Sequence, residues 1–175
     1  MVKLKVDTTA LFVAIIALGL SIWQGRAQII HNHVSVEPRI NSYFSSNKKD
    51  EQHGIYIINN GMGTAFVSKL DVYVDGQIVQ NHEYGKFYSA VLKLKLNPFC
   101  FIVGNPRPND SFKVGEEQFL IEARKKDLLS PKKCPKEHGL LMEYQKNRLD
   151  YKLEFESIYG DRFKYSYAEN IQIEI

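Results

Sequence analysis

The sequence predicts a mainly β protein: an antiparallel β-sandwich with one or two short helices, preceded by one N-terminal transmembrane helix. Three observations lead to this class. Residues 8–23 carry no charge, the C-terminal third alternates apolar with charged residues, and Asn, Asp and Gly pairs separate the alternating runs. A long apolar run near one end favours a membrane segment, and period-two alternation favours half-buried strands.

The expected anchor begins in the uncharged run Thr8–Trp23. A helix rises about 1.5 Å per residue, so this run spans about 24 Å, short of the roughly 30 Å hydrocarbon core. Continuing the helix to Ile30 closes the gap, and the side chains of Trp23 and Arg26 suit the membrane interface. We therefore expect residues 8–30 to contact the lipid bilayer.

A cleaved signal peptide is the alternative to a retained anchor. Lys3 and Lys5 would form its basic start, and Gly25 and Ala27 a small-residue cleavage site that Arg26 weakens. Cleavage would leave a secreted domain.

The basic residues that flank the span predict its orientation. Lys3, Lys5 and the α-amino group on the N-terminal side oppose Arg26 and Arg39 on the other. The positive-inside rule then leans toward a cytoplasmic N-terminus. The sequence predicts a single-pass cell-membrane protein with an extracytoplasmic domain, and a cytoplasmic domain is the alternative.

Composition allows one folded domain beyond the anchor. We divide the chain into a tail and transmembrane helix, 1–30, and a β-sandwich domain, 31–175, which is long enough for one hydrophobic core. The whole chain has 23 Lys and Arg against 20 Asp and Glu. Charges so nearly balanced create no strong positive field, so we expect no nucleic-acid partner.

Strands are expected wherever apolar residues alternate with polar ones or form short β-branched runs. These segments are His33–Tyr43, Ile55–Ile58, Val67–Val74, Gln77–Val79, Phe99–Val103, Phe119–Ala123, Tyr151–Glu156, Phe163–Tyr167 and Ile171–Ile175. Pro38 makes the first of them an edge strand. Asn59-Asn60-Gly61 and Asp75-Gly76 are turn signals, because Asn, Asp and Gly tolerate positive φ.

Helices are expected at two places in the domain. Pro135–Arg148 has an apolar face at helical spacing and a proline near its start. Tyr84–Val91 also fits a helical face, whereas Leu92–Leu96 alternates like a strand. Periodicity does not decide between helix and strand in so short a window.

The two cysteines, Cys100 and Cys134, allow two interpretations. In an extracytoplasmic domain they could form one disulfide, and in a cytoplasmic domain they would be free thiols. Cys100 lies in the apolar run Phe99–Val103, where a buried unpaired cysteine is the commoner outcome, so the sequence favours free thiols.

Three motifs resemble a group of uncharacterised bacterial single-pass membrane proteins that have an N-terminal anchor and an immunoglobulin-like β-sandwich domain. They are His31–Ile40 with its Ser-Val-Glu-Pro, Ile55–Ala65 with its Asn-Asn-Gly-Met-Gly-Thr-Ala, and Asp71–Gly76. The resemblance covers about the first 80 residues. It implies a membrane-tethered immunoglobulin-like domain and supplies no activity.

No motif predicts a catalytic, cofactor-binding or metal-binding residue. His31 and His33 would share one face of a strand, but no third ligand lies near them in sequence. Asn59–Gly63 leads toward a strand rather than a helix, so we interpret it as a turn and not a phosphate loop. The remaining candidate is a basic cluster, which we interpret as a solvated loop: Arg124, Lys125, Lys126, Lys132, Lys133 and Lys136.

These observations favour a membrane-anchored, non-enzymatic module that binds another protein of unknown identity, as a sensing or accessory subunit. Tethering raises the effective concentration of a weakly binding surface, so no catalytic pocket is required. Two alternatives stay open: a membrane-tethered enzyme with a dispersed active site, and a secreted domain left by signal cleavage.

Overall fold

The structure, a computed structural model, describes residues 8–47, 52–124 and 134–175. Its elements in chain order are α1 (Thr8–Ser35), β1 (Ile40–Asn47), β2 (Gln52–Asn59), β3 (Ala65–Val74), β4 (Gln77–Ile78), α2 (Lys86–Lys93), the 3-10 helix η1 (Pro98–Cys100), β5 (Phe101–Val103), β6 (Ser111–Phe112), β7 (Glu117–Ala123), α3 (Cys134–Asn147), β8 (Leu149–Glu156), β9 (Arg162–Ser166) and β10 (Ile171–Glu174). Contacts divide the chain into two units, Met1–Ser35 and Val36–Ile175.

Helix α1 makes up the described part of the first unit. Its 28 residues rise about 42 Å, and none of them is buried. Among the described residues it is the one helix long and apolar enough to cross a membrane, a test that a signal sequence near the N-terminus also passes. The helix continues to Ser35, so the strand expected from His33 is wrong at its start. The residue before a proline disfavours helical φ and ψ, which explains why the helix ends shortly before Pro38.

The second unit contains two antiparallel sheets. The four-stranded sheet has the order β1-β2-β7-β5, and the six-stranded sheet has the order β10-β9-β8-β3-β4, with β6 pairing with the start of β3. The alternation expected at the C-terminus is confirmed by β8, in which buried and half-buried residues alternate along the whole strand. The six-stranded sheet therefore presents one apolar side along β8.

One hydrophobic core joins residues from both sheets. The four-stranded sheet contributes Ile55, Ile57, Leu120 and Ile121, and the six-stranded sheet contributes Leu70, Val72, Tyr151, Leu153, Phe155 and Tyr165. Each fully buried side chain of this size stabilises the fold by about 1.5–3 kcal/mol.

Two local expectations are decided by the structure. The hairpin at Asp75-Gly76 is confirmed: both residues have positive φ, 52° and 74°, as a type I′ turn requires. The segment Tyr84–Leu96, which the sequence left undecided between helix and strand, contains helix α2, and this helix buries Phe87, Ala90 and Val91. Leu94 and Leu96 beyond the helix are also buried, so their spacing reflects packing and not a strand.

Candidate functional site

A cleft of about 320 Å³ lies beside the middle of β3. Strand β4 pairs only with Tyr73 and Val74, and β6 pairs only with Ala65 and Phe66. On this edge of β3, no strand among the described residues covers the stretch between these two pairings, while β8 pairs with the other edge. The cleft that forms there is lined by Lys69, Leu70, Asn81, Lys86, Asn105, Pro106, Arg107 and Pro108.

Strand alternation and the start of α2 place three charged groups of the cleft together. Lys69 and Asp71 are two residues apart on β3 and therefore share a face. Lys86 begins α2, and its Nζ donates to the backbone oxygen of Leu70 and to Oδ1 of Asp71, the latter at 3.2 Å. Lys69 Nζ lies 2.6 Å from Oδ2 of Asp71. Both oxygens of this carboxylate are thus occupied by lysines.

The pKa of Asp71 reflects these contacts. Burial raises it, but hydrogen bonds and charge from Lys69 and Lys86 outweigh the burial and lower the pKa below 3.8. The side chain of Asp71 is 13% exposed. Its carboxylate therefore stays ionised at neutral pH and serves to hold two lysines in place.

The loop before β6 supplies the third cation of the cleft. Asn105 packs against Gly85, whose φ is 94° and where an added Cβ would lie 2.3 Å from Cγ of Asn105. This close approach brings the loop beside α2. Arg107 is fixed at its backbone, where its N–H donates to Oδ2 of Asp110 at 2.8 Å, while its guanidinium lies 3.7 Å from the same oxygen.

The cleft carries more positive than negative charge. Its lining includes the cations Lys69, Lys86 and Arg107 and no carboxylate. The carboxylates that act on these cations lie outside the lining and are Asp71, Asp110 and Glu154. The side chains of Lys69 and Arg107 are 57% and 73% exposed. Lysine has three N–H donors and arginine has five, so these two side chains keep donors for a ligand while they contact their carboxylates. The arrangement suits a carboxylate or another small anionic group.

A second cleft, of about 330 Å³, adjoins the first at Pro108. Its other lining residues are Phe66, Val67, Ser68, Asn109 and Glu156. The two clefts together follow the edge of β3, so a ligand larger than a single ion can contact both.

No family model matches the chain, and neither does any curated protein or any solved structure. The resemblance to single-pass membrane proteins therefore rests on the sequence motifs. The structure agrees with its coarse features, an N-terminal apolar helix followed by a sheet-rich unit.

The histidine pair of the sequence, His31 and His33, lies in α1. Residues two apart on a helix point about 200° from each other, so the shared face expected for a strand is wrong. In residues 8–47, 52–124 and 134–175, no group of three or more His, Cys, Asp and Glu residues could hold a metal ion. Of the basic cluster, Arg124 and Lys136 are described, and Lys125, Lys126, Lys132 and Lys133 lie outside the described residues.

The two cysteines are paired, which corrects the expectation of free thiols. Cys100 and Cys134 form a disulfide that joins η1 to the first residue of α3. Cys100 does lie in apolar surroundings, since both cysteines are buried. Burial did not indicate an unpaired thiol, because the buried cysteines form the disulfide.

Two histidines, His53 and His138, meet beside this disulfide. The rings of His53 and His138 lie 5.4 Å apart, and Nε2 of His53 lies 3.1 Å from the backbone oxygen of His138. Nε2 of His138 lies 3.3 Å from the backbone oxygen of Cys100. The histidines are 85 residues apart in sequence, and no local pattern predicts that they meet.

Proposed function

We propose that this chain is a single-pass membrane protein whose extracytoplasmic, immunoglobulin-like β-sandwich binds an anionic segment of a protein partner. It would serve as a non-enzymatic interaction module, such as a sensing or accessory subunit. The cleft beside β3 is the observation that carries the binding role.

The strand order supports the immunoglobulin-like part of the proposal. Immunoglobulin domains place strands A, B, E and D in one sheet, and G, F, C and C′ in the other. Lettering the strands in chain order and omitting β6 gives β1-β2-β7-β5 the order A-B-E-D, and β9-β8-β3-β4 the order G-F-C-C′. Strand β10 is then an addition beyond strand G. A core shared by both sheets supports their packing as a sandwich.

The disulfide supports an extracytoplasmic location. Disulfides persist in oxidising compartments and are rare in the cytosol. A disulfide between Cys100 and Cys134 therefore favours an extracytoplasmic domain. The basic N-terminal tail with Lys3 and Lys5 favours the same topology, because it would stay on the cytoplasmic side. The unburied apolar surface of α1 supports its role as the anchor, because such a surface is unfavourable in water.

The cleft supports binding rather than acid–base catalysis. A general base needs a pKa near the working pH, whereas contacts with two lysines lower the pKa of Asp71. Exposed Lys69 and Arg107 can instead form charge-assisted hydrogen bonds with carboxylates of a partner. Confinement to a membrane makes a single small cleft sufficient for association.

Cysteine labelling in intact cells tests the orientation. Met62→Cys places an exposed thiol on the β unit, while the native cysteines remain paired and unreactive. We expect a membrane-impermeant maleimide to label this variant in intact cells. A cysteine at Lys3 is the control and should react only after permeabilisation. Labelling of Met62→Cys only after permeabilisation would contradict an extracytoplasmic domain.

Photo-crosslinking tests the cleft. A photoreactive amino acid at Arg107 should give a discrete adduct in membranes, and the same amino acid at the exposed Val114 should give none. Lys69→Glu should abolish the adduct because it reverses charge in the cleft. Lys164→Glu makes the same change on β9 and should leave the adduct intact. Equal loss with both variants would point to unspecific charge attraction and against a binding cleft.

A further inference from the structure

Strand β10 leaves one side of its backbone unpaired. Within the described residues it pairs with β9 alone. The N–H of Ile175 donates to the carbonyl of Arg162 at 2.9 Å. Because donors and acceptors alternate along an antiparallel ladder, Ile171 and Ile173 also direct their backbone groups toward β9. Gln172 and Glu174 therefore direct theirs toward the open side.

The outer face of this edge is apolar. Ile171, Ile173 and Ile175 share that face, and they are 53%, 53% and 54% exposed. On the opposite face, the side-chain amide of Gln172 donates to the carbonyl of Pro38 at 2.8 Å and accepts from the N–H of Ile40 at 2.9 Å. These two bonds fix the strand so that its isoleucines point outward.

Sheet edges are usually protected from pairing by lysine, proline or a bulge. Residues 171–175 contain no lysine and no proline, and the register with β9 is continuous. An exposed, regular and apolar edge is a template for another strand.

We propose that β10 pairs antiparallel with β10 of a second copy of this chain, about a two-fold axis at Ile173. In this register Ile171 faces Ile175 of the second copy, and Gln172 faces Glu174 of the second copy. Gln172 and Glu174 are the two residues with open backbone groups, so each of these pairs exchanges two hydrogen bonds. Ile173 faces Ile173 of the second copy, and this pair exchanges no backbone hydrogen bonds. In such a pair the two Cα atoms are about 4.5 Å apart.

Self-complementarity selects this register. All three isoleucines find an isoleucine opposite, so a continuous row of six forms on one face. Glu174 meets Gln172 and not a second glutamate, so no like charges face each other. An axis at Gln172 would leave Ile175 without a partner and is therefore less favourable.

The contact between two β10 strands is small, so its formation depends on the membrane anchor. In that respect this inference rests on the proposed function. An edge of about five residues buries less than the roughly 1,000 Å² of a specific soluble complex. Two copies held in one bilayer have a higher effective concentration, which compensates for a small interface.

Disulfide trapping of the full-length chain in membranes tests the pairing. Ile173→Cys places two thiols at the axis, at a Cα separation of about 4.5 Å that a disulfide allows. Mild oxidation should give a crosslinked dimer on a non-reducing gel. Ile78→Cys is the matched control, since Ile78 is 55% exposed on β4 at the opposite edge of the same sheet. We expect several-fold more dimer from Ile173→Cys, and equal yields would overturn the proposal.

Mixed crosslinking tests the register. Chains with Ile171→Cys and chains with Ile175→Cys, carrying different tags, should crosslink to each other more than either does to itself. Stronger self-crosslinking at Ile171→Cys would contradict the antiparallel register. Glu174→Pro, added to Ile173→Cys, should abolish trapping, because it removes an N–H on the open side and none bonded to β9.

Two further measurements keep the outcomes separate. Protease resistance of the Glu174→Pro variant reports whether it folds. The crosslink between Ile171→Cys and Ile175→Cys chains tests the register even if the Glu174→Pro variant does not fold. Sedimentation of each sample with the membrane fraction checks the anchor directly. Chains that fail to sediment would refute the anchor, whereas sedimenting chains without an Ile173→Cys crosslink would refute the edge pairing.

Discussion

The side-chain amide of Asn59 donates a hydrogen bond to the backbone carbonyl of Phe112 at 2.9 Å, which links the end of β2 in one sheet to β6 beside the other. The same nitrogen donates to the carbonyl of Gly63 at 2.7 Å. The amide oxygen accepts from the N–H groups of Arg39 at 3.1 Å and Gly61 at 3.0 Å. Asn59 is fully buried, and both of its donors and both acceptor positions are used.

Asn59→Asp is expected to destabilise the protein strongly. The aspartate places an oxygen where two carbonyl oxygens now accept hydrogen bonds, and it buries a charge. Each buried polar group left unsatisfied costs about 1–3 kcal/mol, so we expect a loss of about 3 kcal/mol or more. Chemical denaturation of the full-length chain in detergent measures it. Asn60→Asp, at the exposed neighbour, should have little effect, and an equal loss in both variants would contradict this role.

The Asn59–Gly63 segment shows what local sequence can and cannot predict. Its residue types predict a turn, because Asn and Gly tolerate tight backbone geometry, and the chain does lead directly from β2 to β3 there. The hydrogen bonds of Asn59 could not be predicted, since two of its partners lie 20 and 53 residues away.

Regular alternation was sufficient to predict several strands. Strands β8, β9 and β10 and the Asp75-Gly76 hairpin follow from a period of two and from turn residues. Helix α2 could not be separated from a strand, because its apolar residues continue into the buried Leu94 and Leu96. Core packing, and not the periodicity of the sequence, determines that this segment is helical.

The candidate cleft was not predictable from the sequence. On β3, Lys69 and Asp71 read as the solvated side of an alternating strand. Lys86 and Arg107 join them from a helix and a loop much later in the chain. Only the tertiary arrangement shows that these charges converge at an uncovered part of a strand edge.

Loss of the disulfide is expected to lower stability. Cys100 and Cys134 enclose a loop with a sequence separation of 34. The chain-entropy relation gives about 4 kcal/mol for a loop of this length. We expect Cys100→Ser with Cys134→Ser to unfold at a correspondingly lower denaturant concentration. Reductant should reproduce this loss in the natural chain and have no effect on the double variant. A natural chain that is insensitive to reductant under unfolding conditions would contradict the pairing.

Two glycine-to-alanine substitutions are expected to have opposite effects. A Cβ at Gly63 would lie 1.6 Å from the backbone oxygen of Val36, so Gly63→Ala must displace the chain and destabilise the domain. Gly139 lies within α3 and has open space at its Cβ position, so Gly139→Ala should stabilise the protein by about 0.5–1 kcal/mol. Thermal unfolding of both variants measures the signs. Destabilisation by Gly139→Ala would show that the helix needs its glycine.

The stability of the domain is expected to depend on pH through His138. Burial lowers the pKa of His138 below 6.5, and the nearby His53 lowers it further, against opposing contributions from the carbonyl of Cys100 and from Glu137. A histidine with a lowered pKa in the folded state binds fewer protons than it does when unfolded. Its contribution is therefore complete above the unfolded pKa, and it is lost as pH falls from about 6.5 through the lower folded value.

Denaturation midpoints between about pH 5 and about pH 8 test this dependence, because that range includes the ordinary titration of histidine. His138→Gln retains a donor for the carbonyl of Cys100 and should reduce the fall in stability on acidification. His82→Gln is the control: His82 lies in a separate ring cluster with Tyr84 and Tyr88, so its loss should leave the slope unchanged. If His138→Gln has the same pH slope as the natural chain, the acid sensitivity arises from other groups, because a neutral amide at that position cannot take up the proton.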